Sequence, residues 1–280
     1  MNLIISSEAD TASINLRDRL LEKAEWKVDG EFEGQKIWYL LKDYGSFCLK
    51  GTRLITIDKL HIHAEGIDNK WFRKTGIKIE NIVFLSRHKA ASGRASLTVH
   101  PIGNWGNADY GGLPGKVSGT SPAWMTGLLL KINENRLPGY DVCFEATHHG
   151  PLLKTPTMFL EIGSGENQWK LKEPAEALVN SLLELEPAKG INVVGVGGGH
   201  YTPRFTEAAL SHQVCVGHMV ANYGVPSLTP EILKDAIKSS EAEGLYFHKK
   251  GMKKSDYRKW KEYAEQEGIK IFSQSDYERR

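Results

Sequence analysis

Cysteine is scarce in this chain. Cys48, Cys143 and Cys215 are odd in number and far apart, and no pair has Cys-x-x-Cys spacing. A disulfide framework and a cysteine zinc knuckle are therefore excluded as the organising principle, and the pattern predicts a reducing, cytoplasmic setting. Charge of one sign is scarce too. Lysine and arginine number 36 against 34 acidic residues, a net +2, so a nucleic-acid footprint would have to be local. No apolar run approaches the ~20 residues of a membrane span. The opening MNLIISSEAD lacks the basic flank and apolar core of a secretory signal, and no membrane association is expected. Internal repeats and low-complexity tracts are also missing.

What remains is a globular composition, 40% hydrophobic and 25% charged over 280 residues. It is read as a single α/β catalytic domain, 1–280, with a β-rich segment near 26–60. Short buried strands are predicted at Leu3–Ser6, Lys36–Leu41, Ser46–Leu49, Leu54–Ile57, Ile79–Leu85, Leu97–Val99, Asp141–Thr147, Met158–Ile162, Ile191–Val196, Val214–Gly217, Leu245–His248 and Ile269–Phe272. Helices are predicted at Asp10–Leu21 (inner positions Ile14, Leu20, Leu21, and Ala24 beyond it), from Ser121-Pro122 to about Asn135, at Glu173–Glu186, from Thr229-Pro230 to Glu243, and at Ser255–Glu267. Shorter ones are predicted at Asn69–Lys74 and Thr206–Ser211. Strands alternate with helices over the second two-thirds, the signature of a sheet covered on both faces.

Sites in open α/β sheets form beyond the carboxyl ends of strands. Here His88, His100, the Glu145–His149 segment, Glu161, His200 and His218 all stand at or beyond such ends. On an extended strand Glu145, Thr147 and His149 share one face, and Ala146 and His148 the other. A hydrogen-bonded, inert histidine pair is the plain account of His148-His149. Convergence with His88, Glu161 and His200 favours a metal or acid–base site instead. Gly197–Gly199 lets a ligand approach the backbone or forms a tight turn, and its amides are candidates to cradle an anion. Tyr201 and Arg204 follow as candidates to stack on a base and hold a phosphate. The loop Gly103–Gly119 carries six glycines with Trp105 and Tyr110, which marks it as more than a linker. Lys249–Lys261 holds seven basic residues against one acid, with Tyr257 and Trp260 interleaved. It is either a patch that follows a phosphate backbone or a solvated helix with Trp260 in the core.

The motifs SRH (Ser86–His88), TVHPIGNWG (Thr98–Gly106), EATHHGP (Glu145–Pro151), EIGS (Glu161–Ser164), GVGGGHYTPR (Gly195–Arg204) and GH (Gly217–His218) occur in one order. Together they resemble the D-aminoacyl-tRNA deacylases of archaea and plants, the second, zinc-dependent type. The resemblance covers nearly the whole chain, from SSEADTAS onward. It implies a three-layer α/β/α sandwich with a mixed central sheet, phosphorylase/hydrolase-like and similar to peptidyl-tRNA hydrolase. It implies hydrolysis of the ester between a D-amino acid and the 3′ end of tRNA, with two zinc ions per chain. For that chemistry we assign His88, His148 and His200 as nitrogen ligands and Glu161 or Glu145 as the oxygen ligand, the other glutamate being the general base. His149 and His218, with His100, are supporting catalytic groups or ligands of a second ion. Asn104, Trp105 and Tyr110 would cover the terminal adenosine and amino acid. Gly198, Gly199, Tyr201, Arg204, Lys253 and Lys254 complete the expected substrate contacts. A monomer without a stable protein partner is expected. Lys89 and Phe205 depart from the family pattern, at positions expected to alter the rim. Two other readings stay open: another metal-dependent hydrolase or phosphorylase of this fold acting on a small molecule, and a non-catalytic tRNA-binding module.

Overall fold

The computed structural model describes residues 1–280. In chain order the strands are β1 (Asn2–Ser7), β2 (Trp26–Phe32), β3 (Gln35–Leu40), β4 (Arg53–Ile57), β5 (Asn81–Arg87), β6 (Ser96–His100), β7 (Asp141–Phe144), β8 (Thr157–Gly163), β9 (Ile191–Val196), β10 (Val214–Val220), β11 (Gly244–Phe247) and β12 (Lys270–Phe272). The helices are α1 (Thr11–Lys23), α2 (Ile67–Thr75), α3 (Pro122–Glu134), α4 (Glu166–Trp169), α5 (Lys172–Leu183), α6 (Pro203–Ser211), α7 (Pro230–Ser239) and α8 (Lys254–Gln266). No helix is long and apolar enough to cross a membrane.

The strands form two sheets. The larger, mixed sheet has the order β2-β3-β4-β1-β5-β8-β6-β7, with β6 antiparallel to β8 and the β2–β3–β4 meander antiparallel. The smaller sheet, β10-β9-β11-β12, is wholly parallel. Side-chain alternation along the strands builds three layers. Ile4, Val83 and Leu85 face α1, α3 and α5 in a 41-residue core that also takes in Val193, Val214 and Val216 of the small sheet. Leu3, Ile5, Ile82 and Phe84 face the other way, onto Ile67 and Trp71 of α2. Val194, Val196 and Leu245 pack on Leu233 and Ala236 of α7 and on Trp260 and Ala264 of α8. The architecture is thus α/β/α with a mixed sheet, as the motifs imply.

Most predicted elements stand within a few residues of their expected bounds, and the exceptions are informative. Asp10 caps α1, its Oδ1 accepting the Ser13 amide at 3.0 Å. The inward ridge is Ala12, Leu16 and Leu20, one every four residues, and Ile14 and Leu21 lie half-buried beside it. The segment Ser46–Leu49 is not a strand. Phe47 and Cys48 are fully buried, but in an irregular turn whose Phe47 amide donates to Leu185 O at 3.2 Å. β10 continues past Gly217, so His218 lies inside a strand and not at its end.

Candidate active site

The large sheet ends where the small one begins, and that seam gathers the ionisable groups. β7 stops at Phe144, four residues into the predicted strand. The Glu145 amide still donates to Val99 O at 3.2 Å, but Ala146 and Thr147 turn theirs to His200 O and Met219 O at 2.7 and 2.9 Å. The chain therefore crosses from one sheet to the other. His149 then takes a left-handed conformation with φ of 47°, unusual for a side chain with a Cβ. This overturns the expected strand alternation. Glu145 shares its site with His148, while His149 is aimed at His100 and Phe159.

Glu145 Oε2 is the hub. It lies 2.8 Å from His200 Nε2, 3.1 Å from His88 Nδ1 and 3.7 Å from His148 Nε2. The outer nitrogens of the first two rings are held by tyrosines: His88 Nε2 by the Tyr201 hydroxyl at 2.9 Å and His200 Nδ1 by the Tyr223 hydroxyl at 3.0 Å. Glu161, on the central strand β8, lies 3.7 Å from His88 Nδ1 and 3.6 Å from His100 Nε2.

The second group is His100, His148 and His149. Each donates Nδ1–H to a backbone carbonyl: Pro101 O at 3.1 Å, Ala146 O at 2.8 Å and Gly150 O at 2.7 Å. Backbone acceptors thereby leave the Nε2 lone pairs of His148 and His149 bare, while burial opposes charge on His100 but Glu161, 3.6 Å from its Nε2, raises its pKa overall. Ligand-forming atoms of His100, His148 and His149 lie within 4.8 Å of one another, as do those of His88, Glu145 and His200, and of His100, Glu145 and Glu161. Two buried atoms here, Glu145 Oε1 and His100 Nε2, have no hydrogen-bond partner in the protein. Converging lone pairs and an orphaned carboxylate oxygen are what a bound cation would satisfy, and imidazole with carboxylate suits zinc.

Electrostatics separates the two carboxylates. Burial disfavours the Glu145 anion, but hydrogen bonds from His200 and His88 outweigh it and hold the carboxyl well below its usual range. Burial dominates at Glu161 and raises its pKa, despite His100. Burial also opposes charge on His88, yet the hydrogen bond to Glu145 raises its pKa overall. Burial, reinforced by His100, keeps His149 neutral, with a pKa of about 3, and burial with His100 and His149 holds His148 well below its usual value.

Two clefts open onto this cluster. One, of about 470 Å³, is lined by Asp10, Leu60, His61, Ser86, His88, Glu161 and His200 among others. The second, of about 420 Å³, is lined by Asn104, Trp105, Asn107, Asp109, Thr147 and Tyr223 among others. Ile62, Tyr110, His148 and His149 belong to both. Asn104 and Trp105 act from within the wall: Asn104 Nδ2 donates to Gly111 O at 2.9 Å, and Trp105 Nε1 donates to Thr147 O at 3.1 Å. Lys89 is exposed on the rim of the first cleft.

Other expected site residues lie elsewhere. His218 is fully buried, with Nε2 2.9 Å from Ser118 O and Nδ1 3.1 Å from Thr147 Oγ1, and burial lowers its pKa to about 4. It is a satisfied core histidine. The Gly198 amide donates to Gly251 O at 3.1 Å, and a Cβ there would meet His248 at 2.7 Å. That glycine serves packing and has no amide free for an anion. Gly199 beside it faces open space. Arg204 is tied to Gln274 at 2.7 Å and Glu207 at 3.5 Å. Phe205 belongs to the core and not to the rim, its ring lying where a Cβ on Gly195 would come within 2.7 Å. Lys253 and Lys254 are exposed at the start of α8, whose Trp260 is buried. Tyr223, Asp10 and His61 were not anticipated. A tyrosine in the plain context ANYG and an aspartate that also caps a helix carry no local signal of a site.

The sequence profile of the D-aminoacyl-tRNA deacylase family matches residues 75–272. The chain belongs to this family. It is 35% identical over 279 residues to a D-aminoacyl-tRNA deacylase of Thermococcus kodakarensis, covering 97% of this chain and 99% of that one. The Arabidopsis thaliana D-aminoacyl-tRNA deacylase is 35% identical over 254 residues, covering 82% and 77%. A crystal structure described as a conserved protein of unknown function superposes with a TM-score of 0.89 at 34% identity, covering 99% and 98%.

Proposed function

We propose that this protein hydrolyses the ester of D-aminoacyl-tRNA, releasing free D-amino acid and tRNA, with zinc held at the seam between the sheets. The observation that carries this is the pair of donor sets, His88–Glu145–His200 and His100–His148–His149, meeting at the junction of two clefts in a member of the deacylase family. They share no residue, which suits two ions. Zinc, when bound, would polarise the ester carbonyl and bring the pKa of a water toward ~7. In this assignment Glu145 is the ligand carboxylate, because it is the one kept ionised. Glu161 is the acid–base group, because burial raises its affinity for a proton.

The ester needs little further activation. Water adds to the carbonyl carbon and gives its proton to Glu161. The bond from that carbon to the ribose oxygen then breaks, and Glu161 returns the proton to the leaving 3′ oxygen. Tyr201 and Tyr223 hold His88 and His200 in fixed orientations throughout. The tRNA body docks through the exposed lysines at the start of α8. Residues 1–280 act as one catalytic domain, since the site draws on both sheets.

The test is release of free amino acid from D-aminoacyl-tRNA by the purified protein, before and after exhaustive chelation. Release that stops on chelation and returns with zinc supports the reading. Full release without metal argues for a mechanism using only the side chains. Binding of tRNA without release argues for a non-catalytic module.

A further inference from the structure

We propose that the two clefts divide the substrate at the His148–His149 junction, the terminal adenosine lying in the cleft of Tyr110 and Tyr223 and the amino acid in the cleft of Leu60 and His61. The inference rests on the deacylase reading. An ester cleaved at the junction has its acyl group on one side and its ribose on the other, so each cleft takes one half. The linings decide which.

Tyr110 and Tyr223 expose 69% and 59% of their surface. A stacked nucleobase would cover both, and aromatic faces receive bases of any identity. Asn107 and Asp109, both exposed on the same wall, offer amide and carboxylate groups to a base edge. The wall is built before any ligand arrives. The Tyr223 hydroxyl is held by His200, and the next residue, Gly224, lies so close to Trp105 that a Cβ would come within 2.9 Å of its ring. Behind Tyr110 in the chain, the Gly112 amide donates to Glu65 Oε1 at 2.7 Å and pins the glycine loop.

The other cleft differs. Apart from the shared Tyr110, it presents no tyrosine or tryptophan to a base. It has the half-buried Leu60, next to the shared Ile62, for a side chain. The Asp10 oxygens are already taken by the Ser13 amide, the Arg87 amide and the Ser86 hydroxyl, and Glu161 is the acid–base group, so the apolar lining carries the assignment of the amino acid to this cleft.

The probe is adenosine 5′-monophosphate, used as a competitor of D-aminoacyl-tRNA and titrated directly by calorimetry. The expected result is competitive inhibition of the parent. Tyr110→Ala and Tyr223→Ala should each weaken the nucleotide and raise KM by about tenfold. Tyr223→Phe should restore both, because it keeps the ring, while kcat stays low for want of the hydroxyl on His200. Leu60→Trp should lower kcat/KM for D-tryptophanyl-tRNA more than for D-alanyl-tRNA and leave nucleotide affinity unchanged. The assignment is overturned if the nucleotide does not bind the parent, if both alanine variants bind it as the parent does, or if Leu60→Trp weakens it and treats all amino acids alike. Calorimetry needs no turnover, so a parent that fails to release amino acid would sink the deacylase reading while the nucleotide site is still read directly.

Discussion

His200 Nε2 lies 2.8 Å from Glu145 Oε2, a contact between residues 55 apart in sequence that joins the ends of two different sheets. Glu145 follows β7 of the large sheet and His200 follows β9 of the small one. The carboxylate is fully buried and kept ionised by imidazoles, so its charge matters to the site and to the fold. Glu145→Gln is expected to lower kcat by about 10²-fold or more. Stripping the buried anion from its partners should also cost stability, by about 3 kcal/mol. Single-turnover deacylation and chemical denaturation of the same preparation measure the two effects. An active, equally stable variant would remove Glu145 from the centre of the account.

The two donor sets make a stoichiometric prediction. Elemental analysis should find about two zinc ions per chain in the parent. His200→Ala should lose one and keep the other, and His149→Ala likewise, because neither residue belongs to both sets. Parallel loss of all metal in both variants would mean one shared site.

His218 separates a structural histidine from the functional ones. Its pKa is lowered by burial from 6.5 to about 4. A base with a depressed folded pKa contributes stability that is complete above its unfolded pKa and lost as pH falls toward the folded value. The parent should therefore lose about 3 kcal/mol through this group between about pH 7 and 4. His218→Gln should flatten that part of the stability curve and leave zinc content unchanged. Loss of zinc in this variant would return His218 to the metal site.

Much of this was legible in the sequence. EATHHG and GGGHY placed Glu145, His148, His149 and His200 near one another, and the continuous apolar runs of β1, β5 and β9 marked strands covered on both faces. Whether Glu145 shares its side with His148 or His149 was not legible. Amides of residues 146 and 147 leave the large sheet for carbonyls at His200 and Met219, partners more than fifty positions away, and this breaks the alternation. The strand-ending position of His218 was misread because β10 runs three residues beyond Gly217. Phe47 and Cys48 looked like a strand because an apolar run records burial, not backbone shape.

The lysines at the start of α8 test how the tRNA docks. Lys253 and Lys254 are exposed and line neither cleft of the site. Lys253→Ala with Lys254→Ala should raise KM, leave kcat nearly unchanged and make the log–log salt slope shallower, by about 0.7 for each phosphate the lysines no longer neutralise. An unchanged KM and slope would show the patch to be a solvated helix end.

The most direct measurement compares hydrolysis of one tRNA charged with the D- and with the L-form of the same amino acid, at micromolar enzyme with zinc present. The account predicts rapid release of the D-amino acid and an L-ester that decays no faster than without enzyme. Equal stability of the two esters, or equal cleavage of both, would contradict it.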